Sequence, residues 1–288
     1  MAKRRLHVLC CSLLFPSQVH WAPVKEDQTV DVDVMASMIN SNTIMLAGSA
    51  PQFAHGVIDD IPAIGQLALK HNLGLHVDGC LGGYLLPWLQ RLGHPIPPFD
   101  MSVPGVTSIS ADSHKYGYAQ KGSSVLLFSS PEIRKYTWFC TVNWPGGIYA
   151  SPSFQGSRPG GLVATTWASM VAMGEKGYLE HAERVYQSAM KIREGVKKIP
   201  GLKLWGNPPA MVISWGSDEL NVFAVNDRMA KMGWSLNPVH RPAGMHICVT
   251  NKTVGREDDL LRDLAAACEE VRKDPTTAKK VRMQRIRG

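Results

Sequence analysis

No stretch of this 288-residue chain is apolar for long enough to cross a bilayer. The best candidate, residues 6–15, falls well short of the roughly 20 residues that a spanning helix needs. The six cysteines (Cys10, Cys11, Cys80, Cys140, Cys248 and Cys268) form no C-x-x-C pair and no metal-ligand spacing. That excludes a zinc-ribbon or disulfide scaffold, predicts no metal ligands, and fits a reducing compartment. There is no internal repeat, and the 26 glycines and 19 prolines are spread too evenly for a disordered polymer. A basic face is lacking too, although the net charge is +7. Residues 272–288 hold seven basic side chains against one acid, and Lys3, Arg4 and Arg5 crowd the start. The body between is near neutral. Nucleic-acid binding needs a basic face with a recognisable motif, so no nucleic-acid partner is expected and the end reads as a solvated tail. The three basic residues before residues 6–15 give the outline of a signal peptide, but no small-x-small cleavage site follows.

What is present is ordinary globular material, 44% hydrophobic and 19% charged, long enough for a large and a small domain. Apolar runs at residues 43–48, 73–77, 106–110 and 124–128 read as strands. Helices are expected at 31–40 and after Asp60, which stands before Pro62 as an N-cap. Strand and helix alternate, and the strands are apolar throughout. That pattern predicts an α/β fold with a mostly parallel sheet and helices on both faces. The last of the four strands should run back into the sheet. Two helices follow, at 162–174 and 178–199. A small α/β unit comes next, with strands near 203–205, 211–215, 234–236 and 246–250 and helices near 219–232 and 257–273. The expected divisions are an atypical N-terminal segment at 1–23, a partial large domain at 24–175, a connecting helix and small C-terminal domain at 176–275, and a basic tail at 276–288.

Two residues stand out against this frame. Lys115 follows the third strand in Ser-Ala-Asp-Ser-His-Lys, behind His114 and ahead of a glycine-broken loop. A lysine there can attack an aldehyde if burial and cationic neighbours lower its pKa. Alone, it reads as a surface lysine. Asp78 follows the second strand and precedes Gly79, Cys80, Leu81, Gly82 and Gly83. Alone, it reads as a helix cap. Together they lie at strand ends on one rim of a parallel sheet, where ligands gather. A lysine to hold the aldehyde and a carboxylate to keep the pyridine nitrogen protonated are the first two demands of pyridoxal phosphate chemistry. The phosphate is expected at backbone N–H groups of a helix start.

The segment from His76 to Gly83 resembles the aspartate motif of the group II decarboxylase relatives, which are pyridoxal-phosphate enzymes of fold type I. The stretches at 106–122, 143–152 and 156–161, with the upstream loop 50–59, resemble the sphingosine-1-phosphate lyases within that group. Asn237, Pro238 and His246 lie where the C-terminal domain of those enzymes would be. The similarity runs over residues 24–278, with several motifs in the family's order. It implies a pyridoxal-phosphate transferase-like fold and pyridoxal 5'-phosphate as cofactor. It further implies Lys115 as the Schiff-base lysine, Asp78 at the pyridine nitrogen and His114 near the cofactor phosphate. Lys121 would bind the substrate phosphate, with His55 also near the site. Ser157 would reach the cofactor phosphate from the other subunit of a homodimer. Tyr116, Tyr118 and Tyr149 either line the site or pack.

The implied reaction cleaves a phosphorylated sphingoid base between carbons 2 and 3, giving a fatty aldehyde and phosphoethanolamine. The implied place is the cytosolic side of the endoplasmic reticulum membrane, with this chain itself soluble and without a span. Two other readings stand beside it, an amino-acid decarboxylase of the same class and an inactive truncated or spliced form. The last rests on a departure: residues 1–23 resemble neither the family's Gly-Thr phosphate loop nor its ring-stacking histidine. Weak cofactor binding and poor stability are therefore expected. Gly79 also stands where alanine is usual, which would remove a methyl from beneath the ring.

Overall fold

A computed structural model of the protein describes residues 18–153 and 155–274. The signal-like segment and nearly all of the basic tail lie outside the described residues. The first sheet has four strands in the order β1 (Met45–Ser49), β2 (Gly74–Asp78), β3 (Ser108–Ala111) and β4 (Val125–Phe128). The first three run parallel and β4 returns antiparallel, as its place after the lysine loop predicts.

One face of this sheet is built from Leu46, Leu75, Val77 and Ile109. α1 (Val32–Ser37) leads into β1, and α2 (Ile61–Lys70) joins β1 to β2. Asp60 caps α2 by accepting from Ala63 N–H at 3.0 Å. The buried Ile61 and Ile64 seat α2 over Gly48. A methyl there would come 2.7 Å from Ile61 Cδ1, so the glycine sets the closeness of helix and strand. The opposite face exposes Met45 and Ala47, so the apolar run of β1 is buried only at alternate residues. β4 likewise exposes Leu126 and Leu127. After β2 comes α3 (Leu86–Arg91), and after β4 a single turn of helix, α4 (Pro131–Arg134).

A two-stranded hairpin, β5 (Phe139–Thr141) and β6 (Tyr149–Ser151), precedes the long helix α5 (Gly160–Lys197). The two helices read from the sequence are joined here across Gly174, whose φ of 56° breaks the helical path. Only the second half of α5 has a buried face, through Ala182, Val185, Ala189, Ile192 and Val196.

The second sheet is antiparallel, in the order β7 (Lys203–Leu204), β8 (Val212–Gly216), β10 (Ala243–Cys248), β9 (Asn237–His240). It packs against α6 (Val222–Lys231) and α5, and α7 (Glu257–Lys273) packs on those two helices. The expected strand at 234–236 falls three residues later. Trp234 and Leu236 are instead buried core side chains ahead of it. No helix among the described residues is long and apolar enough to cross a membrane. The described cysteines Cys80, Cys140, Cys248 and Cys268 are free thiols.

Candidate active site

β2 and β3 are neighbours with Asp78 opposite Ser110, so both deliver their carboxyl ends to one rim. Asp78 Oδ1 accepts from Cys80 N–H at 3.0 Å and from the Ser110 hydroxyl at 3.4 Å. Its own turn and the next strand therefore fix the carboxylate. That turn is pressed into the rim. A methyl on Gly82 would come 2.1 Å from the Ala50 carbonyl oxygen, and one on Gly79 would come 2.8 Å from that of Ser110. Gly79 thus relieves a backbone contact with β3.

β3 ends in a turn closed by Lys115 N–H donating to the Asp112 carbonyl at 3.1 Å. The Lys115 side chain folds back over this turn, and Nζ lies 2.9 Å from Asp112 Oδ2. The other Asp112 oxygen accepts from the Ser124 hydroxyl at 2.6 Å. His114 joins the group, with Nε2 3.8 Å from Asp112 Oδ2 and Nδ1 donating to the Ser123 carbonyl at 2.5 Å. Tyr116 packs and does not line the site. It is buried, and its hydroxyl donates to the Val249 carbonyl at 2.7 Å, tying the lysine turn to the second sheet. Tyr118, with φ 60°, accepts from Asn251 at 3.2 Å.

The Cys80 thiol feels the charges of both Asp78 and Lys115. Burial pushes this thiol up to about 11, aided by the Asp78 charge and opposed by Lys115. Burial also raises Cys248, at the end of β10, to about 11, again against the Lys115 charge. Burial pulls the Lys115 amine down, but the bonds to Asp112 and Cys80 outweigh it and hold the amine above the ordinary lysine value. From the sequence, attack on an aldehyde is conditional on burial and cationic neighbours lowering the pKa of the amine. The Asp112 carboxylate opposes that lowering, because an anion, not a cation, is the nearest charge.

The remaining candidates are placed apart. His55 is only 2% exposed. Its loop lies in the seam between the sheets, where the Ala54 carbonyl meets His246 Nδ1 at 3.0 Å and Phe53 meets the His246 ring edge-on. Lys121 and Ser157 are both exposed, on the turn before Gly122 and on the loop before α5. Tyr149 is exposed on β6. Sequence reasoning missed Asp112, Cys80 and Cys248 as members of the site. The first two stand inside the motifs, three residues before the lysine and two after the aspartate. Cys248 had no local signal.

A parallel sheet with a fixed carboxylate on one strand end and a primary amine beyond the next is the layout of fold-type I pyridoxal enzymes. Residues 47–211 match the family described as "Pyridoxal-dependent decarboxylase conserved domain", and the chain belongs to that family. Within it, the chain is similar to the sphingosine-1-phosphate lyases. It is 48% identical to that of Arabidopsis thaliana over 253 residues, which is 88% of this chain and 46% of the relative. It is 51% identical to that of Dictyostelium discoideum over 235 residues, 82% of this chain and 44% of the relative. The chain therefore spans about half the length of these relatives. A solved Burkholderia pseudomallei sphingosine-1-phosphate lyase superposes with a TM-score of 0.84 at 41% identity, covering 87% of this chain and 58% of that one. A Lactobacillus brevis glutamate decarboxylase superposes at 0.77 with 20% identity, covering 93% and 65%, which is likeness of fold.

Proposed function

We propose that the chain serves as a pyridoxal-phosphate-dependent aldehyde-lyase, cleaving phosphorylated sphingoid bases such as sphingosine 1-phosphate to a fatty aldehyde and phosphoethanolamine. The observation that carries this reading is the delivery of Asp78 and the Lys115 turn to one rim by the adjacent ends of β2 and β3, within a segment similar to lyases of that substrate. The residues fit the cofactor: the amine and the carboxylate lie on adjacent strand ends, and the carboxylate is already oriented by an N–H and a hydroxyl. Pyridoxal phosphate, when bound, supplies an electron sink for the bond broken between substrate carbons 2 and 3.

In this reading Lys115 provides the amine that attaches the aldehyde, after release from its ion pair with Asp112. Asp78 keeps a proton on the pyridine nitrogen. His114, anchored through Ser123, faces the cofactor phosphate. The exposed Lys121 ammonium takes the substrate phosphate, a role suited to a compact point charge. His55 acts from the seam near the bound substrate. Ser157 reaches the cofactor phosphate of a second subunit. A homodimer agrees with the apolar side chains that β5, β6 and the first half of α5 leave exposed. The matching place of work is the cytosolic face of the endoplasmic reticulum.

Cofactor titration tests the attachment. Pyridoxal phosphate should bind with a lysine-bound absorbance that Lys115→Ala abolishes. Parallel assays with sphingosine phosphate, glutamate and aromatic amino acids test the substrate. Turnover of an amino acid alone would replace this reading with a decarboxylase, and no turnover of any would favour an inactive form.

A further inference from the structure

The Asp112 carboxylate is built into the lysine turn from three sides. Its backbone carbonyl closes the turn with Lys115 N–H, its Oδ1 is held by Ser124 from the start of β4, and its Oδ2 takes the Lys115 ammonium. The carboxylate is 17% exposed and the Lys115 side chain 31%, so the pair is partly shielded from solvent. We propose that Asp112 is a positioning residue for Lys115, holding its amine as an ammonium ion folded against the β3 turn whenever that amine is not covalently engaged. An ammonium has no lone pair, so a proton must leave Lys115 before it can attack any carbonyl carbon. Asp112 therefore acts as a latch. It opposes attachment of an aldehyde and takes the amine back when the amine is displaced.

Other charges face the same nitrogen. Cys80, from the turn after β2, shares its bonding, and Cys248, from the end of β10, feels its charge. His114 lies on the same Asp112 oxygen, and Asp78 lies beyond Cys80. Both thiols are raised to about 11 and stay neutral near neutral pH, leaving Asp112 as the anion bonded directly to the amine. The carboxylate itself is pulled upward by burial but held low by Ser124 and Lys115, so it stays ionised.

The proposal rests on reading Lys115 as the attachment point, but its test uses no cofactor. The chain is labelled with trace acetic anhydride across a pH series, and each lysine is read by peptide mass spectrometry. In the unaltered chain, Lys115 should reach half-maximal reactivity above the ordinary lysine value despite its partial burial. Asp112→Asn should label Lys115 roughly threefold faster or more at pH 9, with Lys121 unchanged. Asp112→Glu should restore slow labelling. A Lys115 profile at or below the ordinary value in the unaltered chain, or one unmoved by Asp112→Asn, would overturn the latch. Should Asp112→Asn fail to fold, the unaltered chain and Asp112→Glu still decide. The loss of cofactor absorbance in Lys115→Ala is independent of all of these, so failure of the latch and failure of attachment remain distinguishable.

Discussion

The segment from β4 to Gly174 and the second sheet with its helices are made of similar apolar material and come to opposite ends. In the second sheet every residue of β8 is buried, and Trp215, Met245, Val225 and Leu264 have no exposure at all. In the first segment, Ile148 keeps 78% of its surface, Val142 70% and Trp167 67%. The difference lies in layers, not composition. β8 has α5 and β10 has α6 packed on it, with α7 laid over those two helices, whereas β4, the hairpin and the first half of α5 leave most of their apolar side chains exposed among the described residues. The lysine turn stands on the border. Tyr116 ties it to the covered side, and hydroxyl bonds of Ser113 and Thr166 to Ser123, at 2.6 and 3.1 Å, tie it to the uncovered side.

The sharpest way to probe this contrast is to damage the covered side. Trp215→Ala empties a fully buried site and should cost about 3–5 kcal/mol, read as a large drop in thermal midpoint. Acid should act on the same region through His246. Burial of the ring in the seam lowers its pKa to about 4 from 6.5, against the hydrogen bond to the Ala54 carbonyl, which raises it. The folded state thus binds the proton less readily than the unfolded chain. The stability is fully present above the unfolded value of 6.5 and is lost as pH falls from there toward 4. Between pH 7 and 5 the loss should be about 2 kcal/mol. Urea midpoints at the two pH values measure it, and His246→Phe should flatten this part of the slope. Gly244→Ala is milder. Its methyl would lie 2.5 Å from Trp205 Nε1, which donates to the Ala243 carbonyl at 3.1 Å. Overpacking of this kind should cost about 1–3 kcal/mol.

Local signals were legible on both sides of this contrast. The N-cap at Asp60 and the apolar repeat of α5 from Ala182 to Val196 are local signals, and both appear where the sequence puts them. Lys115 and Asp78 were legible because a parallel sheet sends strand ends to one rim, whatever lies far away in the chain. Cys248 was not, since only tertiary packing brings the end of β10 toward Lys115. The latch on Lys115 was hidden for a different reason. Asp112 is three residues away, but the sequence does not show that Ser124 will turn its carboxylate onto the amine. The two helices read at 162–174 and 178–199 were legible from a local signal as well, since Gly174 between them takes φ 56° and ψ 178° and breaks the helical path.

The smallest stability effect tests the uncovered side most directly. Trp167 lies on the first half of α5 with two-thirds of its surface open, so Trp167→Ser removes little buried area from this chain. Its cost should stay within about 0.5 kcal/mol, a small fraction of that of Trp215→Ala. In the proposed homodimer the side chain would matter between molecules. Together with Ile148 and Val163 it forms apolar surface of the kind that drives association. Trp167→Ser combined with Ile148→Ser should therefore shift sedimentation toward the monomer with an unchanged urea midpoint. A fall in stability comparable to Trp215→Ala would mean that Trp167 is covered within its own chain, and the contrast between the two regions would collapse.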